Sequence, residues 1–278
     1  MKIKLKSDYF DKYDAWFDLS GEIHFSRMAQ NSWHTSRDLM FEIFQKLGLK
    51  TPRYGFMESF EPDDMIVLYT DEYAHCGEGK LLIKAGDAHR LSKSALMAAI
   101  SNETTHLSTK EVDQYIKKMD GRVGAPEAFG NITCRKASEY IADFPGVSWR
   151  ALSCGGHLCW FRHWSTEDWR SNAGDGELSE LISSDIILPS GFEKMIQNPV
   201  WAIDFIGQKN DDGQTELLAI DFNTAPKIAG TPLVGLLSPK TMAADVRTQI
   251  EQLIQDGHGE KTESGVILFD NNKIIIRG

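Results

Sequence analysis

Leu39, Phe41, Ile43, Phe44 and Leu47 recur at three- and four-residue spacing, after Thr35-Ser36-Arg37-Asp38 and before Gly48. That period keeps one helical face apolar, and its flanks supply a start and a stop, so a helix is expected here. Met65–Tyr69 and Leu81–Lys84 are short apolar runs that read as buried strands, separated by a polar loop ending Cys76-Gly77-Glu78-Gly79-Lys80. Helices are expected over Ser92–Ser101 and Lys110–Asp120, then a flexible connection over Gly121–Gly130. Glu139-Tyr140-Ile141 ends a further strand. Trp149–Cys154 and His157–Trp164 flank Gly155-Gly156, and Val200–Ile206 and Glu216–Phe222 flank Asn210-Asp211-Asp212-Gly213. Both read as hairpins with glycine where positive φ is needed. Met242–Gln255 reads as a helix, and Gly265–Phe269 with Lys273–Arg277 as a last hairpin around Asn271-Asn272. The first thirty residues mix charge and aromatics without a clean period and are expected to pack as a short amino-terminal segment. Strands and helices mix irregularly, with several hairpins and no βαβ rhythm, so the expected class is α+β.

The 278 residues, 41% hydrophobic and 25% charged, suit one large or two closely packed domains with a real core. A formal charge of −10 argues against a broad cationic face for nucleic acid or anionic lipid. No apolar run approaches the ~20 residues of a membrane span, and no apolar stretch follows the charged start. Four cysteines are too few for a disulfide scaffold. A cytoplasmic protein is expected; oligomeric state is not legible.

The densest chemical signal is Trp201-Ala-Ile-Asp204-Phe followed by Ala219-Ile-Asp221-Phe-Asn223-Thr-Ala-Pro226. Asp221 and Asn223 lie two apart, so on a strand they share a face, and the intervening hairpin can bring Asp204 beside them. Two carboxylates and an amide oxygen are hard ligands suited to Mg²⁺ that also holds phosphate oxygens. The plainer alternative is the solvent face of an amphipathic strand. Arg150, Arg162 and Arg170 supply planar forks for phosphate or developing negative charge, with ordinary surface arginines as the alternative. The Gly77–Gly79 loop offers backbone N–H groups, but the GxxxxGK[ST] spacing is absent and a flexible turn explains it as well. Cys154, His157, Cys159 and His163 are zinc-ligand types, yet down a strand the last two trail ~7 and ~20 Å beyond His157, too far for one tetrahedral site. No G-x-S-x-G elbow appears.

In their order these segments resemble an ATP-grasp protein, in the branch that contains the glutamate-adding ribosomal-protein ligases and glutathione synthetase. The matching stretches run from about Thr35 to Thr231, about 70% of the chain. The resemblance implies an ATP-grasp fold of two α/β subdomains clasping ATP. It divides the chain into a short segment (1–34), a subdomain with the lid and glycine loop (35–135), and a carboxyl-terminal subdomain with the last helix and hairpin (136–278). It implies that Asp204, Asp221 and Asn223 hold Mg²⁺ and that Glu139, Tyr140 and Ile141 read adenine. Gly77 and Gly79 would belong to a lid over the triphosphate. Arg150 and Arg162 would face the phosphates and the acyl phosphate, with Arg170 and Asn172 near the acceptor.

Several positions depart from that family pattern. Tyr69 stands where the family has a phosphate-binding lysine, and Lys80 or Lys84 is the candidate substitute. Ser148 replaces an acidic residue, and Lys227 replaces a glycine. The usual amino-terminal substrate domain is cut to about 35 residues, which would suit a peptide or macromolecular acceptor. The implied activity is an ATP- and Mg²⁺-dependent carboxylate–amine ligase, ADP-forming through an acyl phosphate, joining a carboxylate to an amino acid or peptide amine. A kinase of the same fold and a non-catalytic nucleotide-binding module are the alternatives.

Overall fold

A computed structural model of the chain describes residues 13–17, 23–27, 37–69, 80–91, 105–118, 136–141, 146–165, 168–171, 177–179, 185–223, 226, 228, 231–262, 265–268 and 275–277. The chain divides into two compact units, one of Ser36–Phe41 and Thr51–Ala142, the other of Met1–Thr35, Glu42–Lys50 and Asp143–Gly278. The class is α+β, with nearly all strand pairing antiparallel.

In the smaller unit, β3 (Tyr54–Phe56), β4 (Met65–Tyr69), β5 (Lys80–Lys84) and β6 (Lys136–Glu139) form one sheet in the order β3-β6-β4-β5. The apolar runs expected as strands are β4 and most of β5, and Ile66, Leu68, Leu81 and Ile83 are buried in one core cluster. Helix α2 (Ala85–Arg90) follows β5 directly, a helix the sequence pattern does not announce. The expected helix Ser92–Ser101, the glycine loop and the connection Gly121–Gly130 lie outside the described residues. Helix α3 (Thr109–Lys118) matches the Lys110–Asp120 expectation. Its start is a reciprocal cap: Glu111 accepts from the Ser108 backbone N–H and hydroxyl, and Ser108 Oγ accepts from Glu111 N–H. Because β6 pairs with β3 and β4, the boundary between units falls after Ala142, some residues beyond the expected division at 135/136.

Helix α1 (Arg37–Lys46) ends at Gly48, where φ is +70° and Leu49 N–H reaches back to the Phe44 carbonyl. Its buried apolar residues are Met40, Phe41, Ile43 and Phe44, continued by Leu47 just past its end. Leu39, read from the sequence as part of the apolar face, is 38% exposed instead, because Met40 takes the inward position.

The larger unit is organised by a six-stranded sheet in the order β10-β12-β11-β7-β8-β9. Its strands are β7 (Val147–Cys154), β8 (His157–Trp164), β9 (Glu177–Ser179), β10 (Ile186–Ile187), β11 (Val200–Lys209) and β12 (Thr215–Asn223). Both internal hairpins form as the sequence predicts. Gly155 and Gly156 take φ of +62° and +84°. Only glycine fits at 155 for a second reason: an added Cβ would stand 2.7 Å from Asp245 Cβ and 3.0 Å from Val246 N. In the other turn the Asn210 side chain accepts from the N–H groups of Asp212 and Gln214.

A short helix, α4 (Leu233–Leu236), and a long one, α5 (Pro239–Gln255), follow. Helix α5 begins three residues earlier than the apolar period suggests, since Ser238 caps it by accepting from Thr241 N–H and Pro239 occupies the first turn. Met242, Val246, Ile250 and Leu253 of α5 bury against Leu152, Cys154, Cys159, Phe161, Val200 and Ala202 on one face of the sheet. The opposite face carries an aromatic cluster in which Phe192 meets Trp160, Trp201 and Phe205 edge-on.

The terminal segments differ from expectation. Residues 1–34 include an antiparallel pair, β1 (Tyr13–Phe17) with β2 (Ile23–Arg27). The last hairpin pairs β13 (Gly259–Thr262) with β14 (Gly265–Leu268), not 265–269 with 273–277. Turn signals flank Gly265–Leu268 on both sides, and the connection of two residues closes four antiparallel pairs. Ile276 instead bridges Ile196.

Candidate functional site

Strand register assembles a polar row across the larger unit's sheet. Arg150 of β7 lies opposite Asp204 of β11, and Asp204 lies opposite Asp221 of β12. Directly opposed residues of antiparallel strands project to one face, so these three side chains stand in line, with Phe161 of β8 at the far end. Asn223 lies opposite Ala202, on the same face and two residues along β12. The row is continuous with the apolar patch that α5 covers: the same strands present hydrocarbon at one end and acceptor oxygens at the other. The register shifts immediately after Asp204, which pairs with Asp221 while Phe205 pairs with Ala219. Ile220 is the extra residue of this bulge, which lets Ala219 and Asp221, two apart on β12, pair on opposite faces, with Phe205 and Asp204 respectively.

Arg150 and Asp204 form a two-pronged ion pair, Nε donating to Oδ1 at 2.6 Å and Nη2 to Oδ2 at 2.7 Å. Both side chains are largely buried, 17% and 18% exposed. The guanidinium thus holds Asp204 in place, a role the sequence reading did not give it. Asp204 still fits a cation, since a carboxylate has about four lone-pair sites and Arg150 uses two. Together with Asp221 and Asn223 it offers two carboxylates and an amide oxygen, the hard donor chemistry Mg²⁺ takes. No cluster of three His, Cys, Asp or Glu groups positioned for a metal occurs among the described residues.

Arg162 pairs with Trp149, so it projects to the face opposite Arg150. The sequence reading put both arginines on the phosphates; a one-residue offset in register separates them. Arg170 is forked onto Asp168, with Nε at 3.1 Å from Oδ1, Nη2 at 2.9 Å from Oδ2 and its own N–H at 2.8 Å from Oδ1. Burial pushes the Asp168 carboxyl up, but these hydrogen bonds and the Arg170 charge outweigh it and hold it below the usual range. Asn172, Gly77 and Gly79 lie outside the described residues.

His163, weighed in the sequence only as a zinc-type ligand, stands beside this row. It lies opposite Ser148 on the face of the polar row, and its Nε2 is buried without a hydrogen-bond partner among the described residues. Burial, then the charge of Arg150, pushes its pKa down to about 4, against a smaller opposing effect of Asp204. The ring is neutral at pH 7. A histidine whose folded value is depressed contributes fully above its unfolded value, and that contribution is lost as pH falls toward the folded value. Stability is therefore expected to drop by up to about 3 kcal/mol between about pH 6.5 and pH 4. Urea unfolding of the wild type and His163→Gln at pH 4.5 and 7.5 checks this: the variant should lose the slope, and equal slopes would refute it.

The zinc-type side chains have other employment. Cys154 and Cys159 are buried; burial, aided by Asp245, pushes the Cys154 thiol up to about 12, and burial raises Cys159. His157 Nε2 is 2.7 Å from Asp245 Oδ2, tying the glycine turn to α5.

In the smaller unit, Tyr69 is buried, its hydroxyl 3.0 Å from Ser138 Oγ, and the buried Arg37 guanidinium lies 4.9 Å from its ring centroid. Lys80 is the cross-strand neighbour of Tyr69, whereas Lys84 is four residues away, about 13 Å along the strand, and pairs with Asp63. Of the two candidate substitutes, only Lys80 stands at Tyr69. The backbone N–H groups of Glu139 and Tyr140 donate to the carbonyls of Arg53 and Met65, so they are engaged within their own sheet. Ile141 follows them half-buried. No helix among the described residues is long and apolar enough to cross a membrane.

No family model matches this sequence, and no curated protein matches it. Among solved structures, the chain is similar to the macrocyclase MdnC of Microcystis aeruginosa MRC, determined with its precursor peptide MdnA. The TM-score is 0.37 at 13% identity, over 78% of this chain and 61% of that one. It is also similar to D-alanine-D-alanine ligase from Helicobacter pylori, with a TM-score of 0.37 at 12% identity, over 79% of this chain and 57% of that one. The matched regions thus span about three fifths of each of these proteins.

Proposed function

We propose that this chain is an ATP- and Mg²⁺-dependent carboxylate–amine ligase of the ATP-grasp type. The observation that carries the reading is the register that brings Asp204, Asp221 and Asn223 onto one sheet face, with Arg150 locking Asp204. The ordered sequence motifs described above point the same way. Asp204, Asp221 and Asn223 would hold the metal, which when bound neutralises phosphate charge. Arg150 is the positioning residue: its fork fixes the Asp204 carboxylate so that little reorganisation is needed on binding. Beside them, the neutral His163 ring adds no competing positive charge. The reaction class is phosphoryl transfer from ATP to a carboxylate, giving ADP and an acyl phosphate. An amine then attacks the acyl carbon, the C–N bond forms, phosphate leaves and the amine loses a proton. The amine is that of an amino acid or of a peptide.

The test is mass spectrometry of ATP-dependent products after incubation with cell extract, Mg²⁺ and ATP. A new amide with stoichiometric ADP and free phosphate supports the proposal. A stable phosphorylated product would make the protein a kinase, and tight ATP binding without turnover would make it a binding module.

A further inference from the structure

The end of the larger unit's sheet at the Gly155-Gly156 turn, away from the Asp204 row, carries a second candidate site. Next to the Gly155-Gly156 turn lies a cavity of about 360 Å³, within the range of small-molecule pockets. Leu158, Ile196 and Trp201 give it an apolar wall. Trp201 and Leu158 each lie opposite Ser153, three residues along from Arg150, which places this wall on the far side of the sheet from the polar row.

Its polar groups are sorted by depth. Glu193 and Gln249 line the cavity, and Glu193 Oε2 and Gln249 Oε1 are shut off from solvent with no hydrogen-bond partner among the described residues. Leaving a buried acceptor unpaired costs about 1–3 kcal/mol, more when it is charged, so each such oxygen favours a donor brought to it. Lys194 and Arg277 also line the cavity, and both residues are exposed. Two deep acceptors, two shallow cations and a hydrocarbon wall call for one molecule with three matching parts.

We propose that this cavity binds a free α-amino acid with an apolar or aromatic side chain. Its ammonium, all donor and no acceptor, is drawn to the Glu193 carboxylate and the Gln249 amide oxygen, whose side chains turn toward the cavity to meet it. The carboxylate meets Lys194 and Arg277 where water still reaches, and the side chain lies against Leu158, Ile196 and the Trp201 indole. The site uses none of the residues assigned to nucleotide or metal, so it stands apart from the ligase reading.

Isothermal titration calorimetry of the full chain with leucine and phenylalanine tests it, alongside their N-acetyl and carboxamide forms. At least one free amino acid should bind, and blocking either its amine or its carboxylate should weaken binding by about tenfold or more. Glu193→Gln should weaken it comparably, while Asp221→Ala leaves it unchanged. Gln249→Leu is the second variant, and circular dichroism confirms that each is folded. Absence of binding by both free amino acids overturns the proposal. So does any other pattern among the variants, including binding lost in Asp221→Ala and retained in Glu193→Gln.

Discussion

Replacing Asp221 or Asn223 by alanine is expected to reduce ATP-dependent ADP formation about a thousandfold, to background, while the melting temperature and circular dichroism spectrum stay as in the wild type. Both residues are half-buried at the end of β12, where truncation to alanine leaves the ladder with β11 intact. Each removes one of the three oxygen donors proposed for the cation, and the two that remain would not supply the charge and coordination that a hard divalent cation needs beside phosphate. Asp204→Ala is a poorer probe, since it also strands the Arg150 guanidinium in a largely buried place and destabilises the sheet. The measurement is coupled ADP release at saturating ATP and Mg²⁺, with carboxylate and amine substrates present. Full ADP release by both variants would remove the metal assignment.

Phe161→Ala carries the second large effect, an expected loss of about 3–5 kcal/mol in unfolding free energy. Phe161 is fully buried among Leu152, Cys159, Met242 and Val246, so a ring-sized cavity would open between the sheet and α5. It is also the cross-strand neighbour of Arg150, at the end of the polar row. The variant should therefore lose activity as well as stability, because the fork on Asp204 depends on the strand beneath it staying in place. Urea unfolding gives the stability term. A Phe161→Leu variant separates the two: it refills most of the volume and should recover most of the stability and the activity together. A loss under about 1 kcal/mol in Phe161→Ala would mean the core collapses around the site without consequence, contrary to this account.

The hairpins were legible because their turns are chemical statements. Gly155-Gly156 and Asn210–Gly213 admit few backbone conformations, and the alternating strands on either side set the pairing. Apolar period likewise announced α1, Lys110–Asp120 was read as helical for α3 and Met242–Gln255 for most of α5, and the runs at Met65 and Leu81 announced β4 and β5. Where two turn signals competed, around Gly265–Leu268, the pattern could not rank them. Helix α2 is six residues of Ala, Gly, His, Arg and Asp with no period to find.

For the site, the primary structure determined which residue types are on offer: two carboxylates and an amide in apolar strands, and arginines nearby. What each of them faces was settled only by tertiary structure. Register put Arg162 on the other side of the sheet from Arg150, turned Arg150 toward Asp204 and placed Lys80 rather than Lys84 beside Tyr69. It also buried His163 next to an arginine, which depresses its basicity. The physical reason is the two-residue period of a strand. Spacing within one strand tells which side chains share a face, but a single-residue offset between strands, or one bulge at Ile220, reverses which faces meet. Such offsets are decided by packing against α5 and the aromatic cluster, interactions among residues far apart in the chain.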